Sequence, residues 1–199
     1  MEEIKSAYER AMERAEKLGR ATPAEMKRLE YTPKGNVIAA KYITGDVADL
    51  NGEIGRQGGE HRAHVLDGVI ETLSANIALP RDMRAKHASG KALEGLQALT
   101  DKKKAAKELA DQLEHLFTYY EAAVQQAMQR VRQEVEQHLN DPRHAQQQQQ
   151  RQRTPIEYMP EFQEAVRRSR QTIDAQYEKV LEEHKQRLRK LVTPPPARV

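Results

Sequence analysis

The sequence predicts an all-α, elongated fold: a helical N-terminal region followed by a long antiparallel, coiled-coil-like helical hairpin. The first observation is a mirrored apolar rhythm. Leu109, Leu113, Leu116, Tyr120, Val124, Ala127, Val131, Val135 and His138 advance by steps of 4, 3, 4, 4, 3, 4, 4 and 3. Phe162, Val166, Ser169, Ile173, Tyr177, Val180, His184, Leu188 and Leu191 repeat the series, and opposed members of the two sets sum to 300 or 301. Two helices folding back near residue 150 would therefore meet along these stripes. The second observation is composition: 38% hydrophobic and 32% charged residues, mean hydropathy −0.89, two Phe and no Trp. So few large apolar side chains suit narrow stripes on long helices better than a sphere with one large core. The third is punctuation, because Pro and Gly clusters cut the chain into segments of helical length.

Residues 2–18 read as a helix with Ile4, Tyr8, Met12, Ala15 and Leu18 near one face and Gly19 as its stop. Thr22-Pro23-Ala24-Glu25 has the order of an N-cap, a first-turn proline and a capping-box acid, so a short helix is expected over 23–30. Thr32-Pro33-Lys34-Gly35 reads as a turn. Residues 36–78 keep helical spacing, but Gly45, Gly52, Gly55, Gly58 and Gly59 predict a weak point near 52–59. Leu79-Pro80 closes that segment, and a further helix is expected over 82–99 with Asp82 as cap.

Thr100-Asp101 caps the first hairpin arm, expected over 102–139. Residues 140–160 form a linker with five consecutive glutamines (Gln146–Gln150), and the second arm is expected over 161–192. The resulting division is 1–100 for the N-terminal region, 101–192 for the hairpin and 193–199 for a Pro-rich tail. Because the rhythm repeats every eleven residues rather than seven, nearly straight arms are expected. Polar His138, Ser169 and His184 in the seam are the positions expected to fix register.

The sequence holds few motifs that carry chemistry. Gly90-Lys91 is followed by Ala92, and Ala85 stands where a phosphate-binding loop needs glycine. None of the seven histidines has Glu three residues before it, which excludes the paired Glu-x-x-His of di-iron bundles. The absence of Cys removes thiolate sites and disulfides and fits a reducing compartment. His61 and His64, flanked by Glu60 and Asp67, are the metal candidates, but they lack a second defined ligand group. His115 and His184 would oppose each other across the seam. Ser6, Ser74, Ser89 and Ser169 fall inside predicted helices, where no nucleophile motif frames them.

Net charge is +3 with a pI near 9.0; residues 143–199 carry 12 Lys/Arg against 7 Asp/Glu, leaving 21 against 23 before them. Arg167, Arg168 and Arg170 are the candidate phosphate contacts for nucleic acid, although acidic residues interleave with them. Lys102-Lys103-Lys104 opens a helix, where positive charge opposes the macrodipole. No run is apolar enough to span a membrane, and the N-terminus lacks the basic and apolar pattern of a leader, so a cytoplasmic location is expected.

Two stretches carry a resemblance: Glu2-Glu3-Ile4-Lys5-Ser6-Ala7-Tyr8-Glu9, and Leu79-Pro80-Arg81 with Lys91-Ala92-Leu93-Glu94-Gly95-Leu96-Gln97-Ala98-Leu99. The chain resembles a family of small uncharacterised bacterial helical proteins, a domain of unknown function, over roughly its first two-thirds. The resemblance implies a prokaryotic, cytoplasmic, helical protein and brings no activity or site residues. The expected function is that of a non-enzymatic coiled-coil scaffold or adaptor acting through protein partners and self-association. A prefoldin-like holdase and a nucleic-acid accessory protein are the alternatives. No cofactor, membrane span or small-molecule substrate is expected.

Overall fold

The computed structural model describes residues 22–139 and 155–192. The helix read over 2–18, the glutamine tract and the Pro-rich tail lie outside the described residues. The fold is all-α: six α-helices and two short 3-10 turns make up the regular structure of the described residues, with no strand among them.

Helix α1 (Pro23–Thr44) opens with the expected capping box, the Glu25 amide donating to the Thr22 hydroxyl and the Thr22 amide to the Glu25 carboxylate. It does not stop at 30. The Thr32–Gly35 turn is corrected: Pro33 sits inside one continuous helix that ends at Gly45, whose φ of 90° and amide bonds to the Lys41 and Tyr42 carbonyls close it. The physical reason is a close helix crossing. A Cβ at Gly35 would lie 2.0 Å from the Val65 carbonyl oxygen, and one at Gly68 2.1 Å from that of Thr32. Backbone meets backbone there, so Gly35 is required for approach rather than for chain reversal.

The span expected over 36–78 is divided. After Gly45 the chain restarts at α2 (Leu50–Gly58), capped by the Asp49 carboxylate on the Gly52 amide at 3.0 Å. A 3-10 turn (Gly59–His61) follows, entered through Gly59 at φ 46°, and α3 (Arg62–Asn76) begins. The glycine-rich weak point thus resolves into a break at its C-terminal edge, with Gly52 and Gly55 inside a helix. An extended link through Leu79-Pro80 leads to α4 (Met83–Leu99), capped by Asp82 as expected. Buried Ser89 on α4 ties the link down, donating toward the Asn76 and Ala78 carbonyls and accepting from the Ala78 amide.

Helix α5 (Lys103–Leu139) spans 37 residues, about 55 Å at 1.5 Å per residue. The lysine cluster at its start has a local explanation: Lys103 Nζ donates to the Gln97 and Ala98 carbonyls at 2.9 and 3.1 Å. Its charge thus serves the negative end of α4. A second 3-10 turn (Ile156–Tyr158) precedes α6 (Pro160–Val192), which returns along α5. The arms therefore sit within a residue of their expected bounds.

One core joins the body, α1 to α4, with the near part of both arms, from Ala106 to Val124 on α5 and from Leu181 to Val192 on α6. Beyond Val124 a second, smaller core contains Val131, Met159 and Phe162, flanked by Val135, Leu139, Ile156, Ala165 and Val166. Among the described residues its members come from the arms, the 3-10 turn and Met159 that caps it, so the hairpin continues past the body as a two-helix projection.

Candidate interaction surface of the hairpin

Most of the predicted seam faces inward. Leu109, Leu113, Tyr120, Val124, Val131, Phe162 and Leu188 are buried; Leu116, Val135, Val166, Ile173, Tyr177 and Leu191 are half-buried beside them. Val180 is corrected: it is 39% exposed, and buried Leu181 takes its place. The step after Tyr177 is four, not three, which keeps the stripe facing α5 along a helix of 3.6 residues per turn. His138 is exposed as well.

The register also differs from the mirror. Tyr120 was to oppose Val180; instead its ring lies edge-on to Tyr177 at 5.6 Å, and its hydroxyl donates to the Asp174 carboxylate at 2.8 Å. Phe162 packs in one cluster with Val131 where His138 was expected. The carbonyl of Leu191, expected beside Leu109, accepts from the Thr100 hydroxyl at 3.0 Å, before α5 begins. Every offset has the same sense: α6 is displaced toward the start of α5 by about one to two and a half turns. A quasi-periodic stripe maps onto itself after a slip of four or seven residues, so apolar spacing selects a face and leaves its register open.

Polar bonds select the register. Arg81, in the link before α4, reaches Asp174 at 2.9 Å and Glu178 at 2.6 Å. Asp174 is therefore held from two sides, by Arg81 and by Tyr120. Burial, and then the bond to Asp174, push the Tyr120 phenol above its ordinary pKa of 10.0. Lys86 on α4 pairs with Glu121 at 2.8 Å, and farther out Arg132 pairs with Glu157. Sequence spacing could not reveal Arg81, Asp174 or Thr100, because each acts through a polar contact between elements far apart in the chain. Phe117 and the small pair Ala106 and Ala110 are buried too, and they widen the apolar face of α5 where it meets both α6 and the body.

Arg167 and Arg168 both bond Glu164, at 2.5 and 2.8 Å, and Arg170 is exposed. The Arg168 bond, with Arg167 adding to it, holds the Glu164 carboxyl below the usual value of 4.5. The His61 ring, in the 3-10 turn, lies tilted by 58° against that of Tyr31 with centroids 4.4 Å apart, while His64 is half-buried on α3 with a buried, unpartnered Nδ1. Among the described residues, no group of three or more His, Asp or Glu is placed to hold a metal ion. His115 is exposed, whereas His184 is half-buried. A cleft of about 200 Å³ between α3 and α6 is lined by Glu71, Ser74, Glu182, Lys185 and Arg189 among others, and Lys185 pairs with Glu182 at 3.6 Å. No described helix is long and apolar enough to cross a membrane.

No curated protein and no solved structure matches the chain. A family match does cover residues 51–190, from within α2 to near the end of α6. It includes Leu79-Pro80-Arg81, the Lys91–Leu99 stretch and all of the two arms but Leu191 and Val192, and it leaves out the run Glu2–Glu9. The chain belongs to that family, DUF6657, a family of unknown function.

Proposed function

We propose that this protein is a non-enzymatic helical scaffold or adaptor whose projecting hairpin presents a surface to a protein partner. The supporting observation is the second core: the arms continue past the body on packing of their own, with Val131, Met159 and Phe162 buried between them. A catalytic role would require no such extension, whereas a surface offered at a distance from the body does. Along the arms charged side chains alternate in sign and pair locally, as Arg132 does with Glu136 and Arg168 with Glu164. This favours a solvated, selectively contacted face over a continuous phosphate-binding stripe. A cytoplasmic setting goes with this reading, resting on the Cys-free composition.

Photo-crosslinking tests the proposal. A benzophenone amino acid replaces exposed Met128 or Tyr158 on the projection, or exposed Arg56 on the body. The distal positions should capture a defined protein, competed away by excess unlabelled chain, while position 56 should not. Equal capture from the body, or capture of nucleic acid alone, would overturn it.

One observation favours a second reading. Tyr158 is 70% exposed and Met128 40% exposed, so the projection offers apolar groups to non-native clients. A prefoldin-like holdase would suppress aggregation of a model client and lose that effect on deletion of residues 140–160; a scaffold would show neither.

A further inference from the structure

Helix α1 has two apolar faces on opposite sides. One, built from Gly35, Ile38 and Ala39, is buried in the body. The other consists of Met26, Leu29, Pro33, Val37 and Ala40, whose steps of 3, 4, 4 and 3 hold it to one narrow stripe. That stripe faces solvent: Met26 is 59%, Leu29 69% and Val37 53% exposed, and Pro33 and Ala40 are exposed too. Because α1 meets α3 through the opposite face, at Gly35, a second molecule can approach the stripe without meeting the body. Five aligned apolar positions left open on a helix mark a contact surface.

The stripe reads the same in both directions. Met26 with Ala40 and Leu29 with Val37 each sum to 66, Pro33 is its own counterpart, and exposed Thr22 and Thr44 close the two ends at the same sum. We infer that this face pairs with the same face of a second copy of the chain, α1 against α1 in antiparallel order about a two-fold axis at Pro33. A two-fold interface requires a patch that complements itself, and this one does so position by position. The threonines give its apolar centre a polar rim.

Charge fits the same axis. Glu30 and Lys34 follow Leu29 and Pro33 by one residue, which puts both on one flank of the stripe. In a two-fold antiparallel pair like flanks lie on the same side. Glu30 and Lys34 sum to 64, so the Glu30 of each copy lies within about 3 Å, along the axis, of the other's Lys34 at 1.5 Å per residue. Within one chain the two approach only to 3.6 Å, and with side chains 62% and 42% exposed both can bond outward.

The stripe's shortness limits slip. Sliding one copy by four residues in either direction leaves only two of the five apolar positions opposite apolar partners. Lys27 and Lys41, farther round the charged flank, come near each other as like charges. The stripe from Met26 to Ala40 is about 21 Å long, less than a standard interface offers, so the dimer is expected to be weak, in the micromolar range.

Sedimentation velocity of the full-length protein over a hundredfold range of concentration should show a monomer–dimer equilibrium. Leu29→Asp/Val37→Asp, at exposed positions, should keep the parent's helical circular dichroism and weaken association at least tenfold. Glu30→Lys and Lys34→Glu should each weaken it at least threefold, because like charges then meet across the axis. An equimolar mixture of those two variants should regain the parent's affinity, since every cross-pair is again opposite in sign. Pairing within the helix cannot produce that rescue, because each chain in the mixture still carries two like charges. A parent that stays monomeric throughout would leave the stripe to a different protein and overturn the inference. A parent dimer untouched by Leu29→Asp/Val37→Asp, or a mixture no more associated than its components, would overturn it as well.

Discussion

The α1–α3 crossing and the α5–α6 hairpin solve the same problem, two helices meeting along their length, by opposite means. At the crossing, side chains are withdrawn: Gly35 and Gly68 let each backbone reach the other, with added Cβ atoms at 2.0 and 2.1 Å from carbonyl oxygens. Along the hairpin, side chains from both arms interdigitate, and bonds such as Tyr120 to Asp174 and Thr100 to Leu191 choose among registers that the apolar stripe alone would allow. The first kind of contact is specified by what is missing and cannot absorb a single added methyl. The second is specified by shape and a few polar links, and it tolerates conservative changes.

Several substitutions probe that contrast. The largest effect is expected from Val124→Asp with Tyr177→Asp. Two carboxylates placed in or beside the buried seam carry desolvation costs that no partner offsets, so the hairpin should unfold, read as loss of about half the helical circular dichroism. Retained helicity and thermal stability would count against the seam. Next comes Gly68→Ala, one methyl added at the crossing, which should cost about 3 kcal/mol because the obstacle is the Thr32 carbonyl rather than a flexible side chain. Val131→Ala in the distal core removes more atoms than Gly68→Ala adds, yet should cost less, about 2 kcal/mol, with the change confined to the projection. Urea titration of both variants checks the order, and equal costs would remove the distinction between the two contacts.

A smaller change is expected from Tyr120→Phe, which deletes the bond to the Asp174 carboxylate at a fully buried position and should cost about 2 kcal/mol or less. Its signature lies in pH. The folded-state pKa of Tyr120 is raised, so its neutral phenol contributes stability that is fully present below pH 10 and is lost as pH rises through the folded value. The Phe variant should therefore show a flatter fall in stability above pH 10, the residual slope coming partly from Tyr42, which burial also pushes up. An unchanged alkaline slope would mean that Tyr120 is not held as described.

Which features the sequence revealed follows from the range of the interactions behind them. Local chemistry was legible: the Thr22 capping box, the Asp82 cap and the two arm bounds all depend on residues within a few positions of one another. Pro33 and Gly35 have the signature of a turn in sequence, and only the approach of α3 shows that Gly35 is there for space. The seam face is legible from its period, but spacing alone does not separate Val180 from Leu181, because adjacent residues differ by only 100° around a helix. The register was hidden because Arg81, Thr100 and Asp174 belong to different segments, and no spacing rule links them.

That register can be read directly in solution with Cys pairs in the otherwise Cys-free chain. Arg132, which pairs with Glu157 in the structure, would lie opposite Arg168 if the arms met in the mirrored alignment. With a short bis-maleimide, Arg132→Cys/Glu157→Cys should crosslink within the chain rapidly and Arg132→Cys/Arg168→Cys at least tenfold more slowly. The opposite preference would contradict the displaced arms and, with them, the separate core of the projection.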